Sequence, residues 1–234
     1  MFPEGNVLVV VAHPDDEVLG CGGTIACLAD AGRAVHVLLL ADGESSRVGA
    51  DGSSPEPGSL AARNAAAEHA CRILGCASVE SLAFPDNRMD GLVLLDVVKQ
   101  VEARIARHAP ATVLTHHGGD VNIDHRVAHE AVIVACRPIP GHSVRELLFF
   151  EVPSSTEWRP PPLAESFAPN YFVDVSATLD RKMEALNAYA SELRAFPHPR
   201  SLIAVDALAR WRGATVGVGA AEAFLLGRKI VMTE

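Results

Sequence analysis

Short apolar runs rich in valine and leucine alternate along this chain with longer segments in which apolar positions return every three to four residues. That alternation predicts βαβ units and a parallel sheet. The strand-like runs are residues 7–11, 35–40, 79–83, 111–115, 146–152 and 171–175, and the helical segments between them are 18–31, 60–74, 92–107 and 125–136. Beyond 175 the pattern reads as helical, over 178–195 and again over 202–226, with Pro197 and Pro199 between the two. Punctuation agrees at several ends: Gly32 and Gly75 follow helices, Ser59 stands where an N-cap is wanted, and Pro110 stops a helix. The fold class expected is α/β, a Rossmann-like, mostly parallel sheet flanked by helices and formed as a single domain over 1–234.

Three long connections interrupt this regularity, at 41–58, 116–123 and 153–169. Loops of that size in a compact domain tend to carry function. In an open parallel sheet, ligands bind beyond the carboxyl ends of the strands, where strand order reverses. The charged residues and histidines collect there: His13 to Glu17 after the first run, Asp42-Gly43-Glu44 after the second, Asp86 to Asp90 after the third, His116 to His125 after the fourth.

The densest of these clusters is A-H-P-D-D-E at 12–17. Imidazole nitrogen and carboxylate oxygen suit zinc and other divalent first-row metals, and a catalytic zinc keeps three protein ligands with one open position. His13 and Asp16, three apart across a strand-to-helix turn, can converge on one ion while Asp15 between them is left free to act as a general base. An aspartate in this place could instead cap the helix that follows, but capping explains one carboxylate and not the whole cluster. The third ligand is expected from T-H-H-G-G-D-V-N-I-D-H-R at 115–126. His125 is favoured, with Asp124 as the carboxylate that orients it and His129, four residues on, as a weaker competitor. His36, His69, His108 and His142 lack a carboxylate pattern and read as structural or surface groups. The run Gly20-Cys21-Gly22-Gly23 is not a G-x-G-x-x-G loop, and close helix packing explains it better than a dinucleotide site.

Composition narrows the partners. Of 234 residues 49% are hydrophobic, enough for a full core, and the net charge of -9 offers no broad basic surface for nucleic acid or an anionic membrane. A small-molecule partner is expected. The N-terminus lacks the basic and apolar regions of a signal peptide, no apolar stretch is long enough to span a bilayer, and the five cysteines, an odd number, never fall in C-x-x-C. A cytoplasmic protein with reduced thiols is the expectation, and a homo-oligomer is left open.

With these residues in hand, the chain resembles the PIG-L/LmbE-like zinc-dependent N-deacetylases. The resemblance rests on A-H-P-D-D-E after the first strand and D-H opening a helix after the fourth. It extends to Asp42-Gly43-Glu44, Phe84-Pro85-Asp86, Pro197-His198-Pro199-Arg200 and Ala221-Glu222-Ala223-Phe224. It implies one zinc per chain on His13, Asp16 and His125, Asp15 as general base, and removal of an acetyl group from an N-acetylglucosamine-type sugar or conjugate. Sugar contacts would fall on Glu44, Arg63 and Asp86, with Arg47 and Asp90 as further candidates. One departure stands out: many members carry a histidine three residues before the ligand equivalent to His125, and here that place holds Asn122. An amide can donate to an oxyanion but cannot deliver a proton, so Asp15 is expected to act as base and then acid, with Asn122 or His117 assisting. The other readings are an amidase acting on a larger sugar-thiol or other conjugate with the same metal site, and a non-catalytic sugar- or nucleotide-binding module.

Overall fold

The structure, a computed structural model, describes residues 2–43, 45, 59–161 and 166–231. Seven strands form one sheet: β1 (Val7–Val11), β2 (Val35–Ala41), β3 (Ser78–Phe84), β4 (Thr112–His116), β5 (Glu146–Phe150), β6 (Tyr171–Asp174) and β7 (Ala221–Lys229), in the order β3-β2-β1-β4-β5-β7-β6. The first five run parallel, with Val7 level with both Val35 and Thr112, whereas β7 is antiparallel to its neighbours β5 and β6. The helices are α1 (Asp16–Asp30), α2 (Ser59–Leu74), α3 (Leu94–His108), α4 (Ile123–Ala135), α5 (Leu179–Asn187) and α6 (Leu202–Ala214).

The unbroken apolar sequence of β1 follows from its central place. Val7, Val9 and Val11 point into one core with α1 residues such as Ile25 and α2 residues such as Leu74. Leu8 and Val10 point into the other, with Val98 and Val101 of α3 and Ala128 and Val132 of α4. A strand covered on both faces has no polar side to show, so its pattern is continuous rather than alternating. From β1 the chain builds outward to β2 and β3, then returns to lay β4 on the opposite side. The reversal opens a crevice at the carboxyl ends of β1 and β4, where both histidine-rich clusters lie.

The tail departs from expectation. Residues 202–226 were expected as a helix, yet only Leu202–Ala214 is helical and Ala221–Lys229 is a strand inserted between β5 and β6. Alanine, glutamate and leucine favour helix locally, but two open strand edges and burial of Ala221, Ala223 and Phe224 outweigh that preference. Likewise 178–195 is helical only as far as Asn187.

α1 is kinked at Cys21, whose φ of -148° and ψ of 23° leave the helical region. The N–H groups of Gly23 and Thr24, on the second half of the helix, donate to the Glu222 carboxylate of β7 at 2.9 and 2.7 Å. Lys182 of α5 completes the arrangement, its Nζ donating to Glu222 at 2.6 Å and to the Leu19 carbonyl at 2.9 Å. Small residues let α1 approach this closely: a Cβ on Gly20 would lie 2.3 Å from the Phe150 ring, and one on Gly23 2.8 Å from Val175. The glycine run thus serves packing. Among the described residues, no helix is long and apolar enough to cross a membrane.

Candidate active site

The turn from β1 into α1 is sharp. Asp15 has φ 111°, a left-handed backbone that costs a non-glycine residue energy, and it occupies the N-cap position of α1 without making a side-chain cap. The capping account of the motif fails at this residue. Its N–H donates instead to Glu17 Oε2 at 3.1 Å, and Glu17 in turn accepts from the Tyr189 hydroxyl at 2.6 Å, so the turn is held from beneath. The carboxylate of Asp15 is left facing Arg200, whose Nη1 lies 3.3 Å from Oδ2. Burial pushes the Asp15 pKa up to about 7; Arg200 pulls against that rise, and the charges of Asp16 and Glu192 add to it.

Asp16 stands between the two histidine clusters. Its Oδ2 lies 3.3 Å from His13 Nδ1 and 3.3 Å from His125 Nε2, the latter delivered by the first turn of α4. One ligand atom from each of His13, Asp16 and His125 falls within 4.8 Å of the other two, although 109 to 112 residues separate His125 from Asp16 and His13 along the chain. Asp16 Oδ1 and His125 Nε2 are buried without a hydrogen-bond partner. Leaving such atoms unsatisfied is costly, and a divalent cation coordinated by both relieves that cost. Protonation tells the same story. Burial disfavours a charged His125, yet the carboxylates of Asp16 and Asp120 overcome it and lift its pKa to about 9, while Asp16 is held well below the usual range by His125 and His116 despite its own burial. The residues fit a cation that would take the place of these protons.

The carboxylates around the histidines are distributed otherwise than expected. Asp124, expected beside His125, lies with Oδ2 3.0 Å from His13 Nε2. It also accepts from the N–H groups of Asn87 and Met89 at 2.6 and 3.0 Å, so it orients His13. The orienting partner of His125 is Asp120, whose Oδ2 is 3.1 Å from Nδ1. Asp120 accepts from the Ser155 and Thr156 hydroxyls and from the Asn122 N–H; burial would raise its pKa, but His125 and Ser155 bring it down to about 2. The reason for the exchange is helical geometry: adjacent residues at the start of α4 point in different directions, whereas the loop before it brings Asp120 back under the ring. An aspartate five residues ahead of His125 in the same loop was the only sequence signal. His13, Asp86 and Asp124 form a second group within ligand distance. With Asp124 already accepting two backbone hydrogen bonds, that group reads as support for His13.

The remaining sequence candidates divide. Asp86 lies with Oδ1 3.0 Å from His13 Nε2, and Arg63 donates to Glu192 at 2.8 Å across the wall of the same cavity. That cavity, about 110 Å³, has His13, Asp15, Asn122 and Arg200 among its other lining residues. Asn122 caps α4, its Oδ1 accepting from the Asp124 and His125 N–H groups at 2.8 and 3.4 Å while Nδ2 donates to Asn87 at 3.2 Å. His117 is buried with its ring edge-on to Phe167 and does not line the cavity. The His129 ring packs on Phe149, and its Nδ1 lies 2.9 Å from the His116 carbonyl oxygen, outside the metal group. His116 stacks on His125 at 3.9 Å, and its Nε2 accepts from the Ala12 N–H. Asp90 is exposed, and Glu44 and Arg47 lie outside the described residues. Sequence reasoning gave no role to Arg200, Glu192 or Asp120; the first two come from the chain after 187 and reach the site only through the tertiary fold. A larger hollow of about 450 Å³ near Ile105, Ile139 and His142 holds none of the predicted site residues. Its size carries no functional argument beside a cavity lined by converging titratable groups.

The chain has relatives among known proteins. Residues 8–136 match the family described as PIG-L: GlcNAc-PI de-N-acetylase. The chain is 33% identical over 181 residues to uncharacterized deacetylase YaiS of Escherichia coli, covering 75% of this chain and 89% of the relative. It is 31% identical over 205 residues to diacetylchitobiose deacetylase of Thermococcus kodakarensis, covering 80% and 70%. Among solved structures, GalB of Pseudomonas putida, a 4-carboxy-2-hydroxymuconate hydratase, superposes with a TM-score of 0.76 at 27% identity over 99% of each chain. With its metal-type cluster at the switch point of the sheet and a family match over more than half its length, the chain belongs to the PIG-L family and is an enzyme of its deacetylase, amide-hydrolysing class.

Proposed function

We propose that this enzyme is a zinc-dependent N-deacetylase that removes an acetyl group from an N-acetylglucosamine-type sugar or sugar conjugate. The observation that carries the reading is the meeting of His13, Asp16 and His125, with buried unpartnered atoms on two of them, beside Asp15, an acid that stands outside the group. His13, Asp16 and His125 would hold the ion, a nitrogen and oxygen donor set suited to zinc. The ion would supply Lewis acidity toward the amide carbonyl and lower the pKa of water.

The chain's own residues then perform the proton chemistry. Asp15 accepts a proton from the attacking water as the new C–O bond forms, and gives it to the nitrogen as the C–N bond breaks. Acetate and a free amine leave, so one water is consumed and no other reactant is needed. A cation on Asp16 would draw the Asp15 pKa down from about 7, leaving it ionised as the base. Asp86, Arg63 and Glu192 line the polar wall where sugar hydroxyls would be received.

The test is a panel of N-acetylated sugars followed by mass spectrometry for loss of one acetyl group, with elemental analysis of the purified protein. About one zinc per chain is expected, lost in both His13→Ala and His125→Ala. A zinc-loaded protein that releases acetate from none of the panel would refute the reading. Release of a bulkier acyl group would move it to an amidase of larger conjugates, and hydration of 4-carboxy-2-hydroxymuconate, an unsaturated tricarboxylate, without acetate release would move it to the chemistry of the hydratase relative.

A further inference from the structure

Amide hydrolysis places a negative charge on the carbonyl oxygen in the tetrahedral intermediate, and preorganised donors at that point are worth ~10²–10³ in rate each. The wall of the cavity offers few. The Asn122 side chain is tied to its neighbours, Oδ1 capping α4 and one of the two Nδ2 hydrogens on Asn87, and the donor it has left is uncharged. Arg63 is paired through Nη2 with the buried carboxylate of Glu192. Arg200 differs. Its Nε donates to Ser154 Oγ at 2.6 Å and its backbone N–H to His198 Nδ1 at 3.1 Å, which fixes the guanidinium from behind. Its Nη1 lies 3.3 Å from Asp15, and Nη2 has no hydrogen-bond partner among the described residues. Three-quarters covered, it still lines the cavity alongside His13 and Asp15.

We infer that Arg200 is a further catalytic residue: it donates, as a charged group, to the tetrahedral oxyanion formed next to Asp15, where Asn122 could offer only one neutral N–H. The inference rests on the deacetylase reading above. Arginine stays protonated throughout. It therefore stabilises charge without taking part in proton transfer, which leaves both proton steps to Asp15. Ser154, buried and held by the donation of its N–H to Glu157 at 2.7 Å, is the positioning residue that aims the guanidinium.

The experiment compares the zinc enzyme with Arg200→Ala and Arg200→Lys. For Arg200→Ala, kcat should fall ~10²–10³-fold, with KM changed only a few-fold, zinc content intact, and part of the rate restored by added guanidinium ion. A second readout needs no turnover: calorimetric binding of the methylphosphonamidate of glucosamine, a tetrahedral mimic, should weaken by a similar factor while glucosamine itself binds as before. Arg200→Lys, which keeps the charge, supplies the same comparison should the alanine variant fold poorly. The inference is overturned by unchanged mimic binding in the variants, by a loss confined to KM, or by equal weakening of mimic and glucosamine. If the wild-type enzyme releases no acetate from any N-acetyl sugar, the deacetylase reading fails first and this assignment with it.

Discussion

Replacing Asp120 tests whether the carboxylate beneath His125 tunes the metal centre. Asp120 does not line the site cavity and lies outside the metal group, yet it accepts from the Ser155 and Thr156 hydroxyls and the Asn122 N–H, and faces His125 Nδ1 at 3.1 Å. Asp120→Asn keeps the shape and removes the charge. One of its two side-chain positions becomes an N–H pointing at a donor, so either His125 and the Thr156 hydroxyl lose their acceptor at Oδ2, or the Ser155 hydroxyl and the Asn122 N–H lose theirs at Oδ1. In metal sites the loss of such an outer partner weakens affinity ~10–100-fold, equivalent to about 1.4–2.7 kcal/mol. The assay is a zinc competition titration against a chromophoric chelator, with circular dichroism to show the fold intact. Ser155→Ala serves as a control, since it removes one hydroxyl and leaves the carboxylate on His125. A zinc affinity for Asp120→Asn equal to wild type would show that the carboxylate only packs the loop.

Three further outcomes are expected. Asp15→Asn should retain zinc while turnover falls ~10²–10⁴-fold; near-normal turnover would remove Asp15 from the mechanism. Glu222→Ala leaves Lys182 buried without its counter-ion and the Gly23 and Thr24 N–H groups without acceptors, at a cost of about 3–5 kcal/mol. Its melting temperature should drop by roughly 6–20 °C, whereas Lys182→Met combined with Glu222→Leu should recover much of it; equal melting of Glu222→Ala and wild type would count against a role for this pair in holding the kinked α1. His36 and His108 stack at 3.8 Å, and burial followed by neighbouring positive charge lowers both pKa values below the 6.5 of an ordinary histidine. Below 6.5 the unfolded chain takes up protons that the fold resists, so stability contributed here is present above that value and declines as pH falls through it. An NMR titration placing either ring above 6.5 would contradict this assignment.

The sheet's parallel half, the crevice and the metal-type triad were legible along the chain, because each is written in local pattern. The unbroken apolar run of β1 announces a strand buried on both faces, and H-P-D-D-E directly after it can only lie at the sheet's carboxyl edge. His125 was legible for the same reason, as a histidine opening a helix after the fourth strand. What the tertiary structure decided is whatever depends on direction or on distant partners. Asp120 rather than Asp124 supports His125, because adjacent residues entering α4 diverge and no spacing rule reveals which one turns beneath the ring. Residues 221–229 became a strand through pairing with β5 and β6, a nonlocal gain that outweighs their helical preference. Arg200 and Glu192 reached the cavity from a segment whose helical pattern and P-H-P-R run assigned neither a role, since burial and ion pairing across more than a hundred residues are properties of the folded chain and leave no periodicity in the sequence.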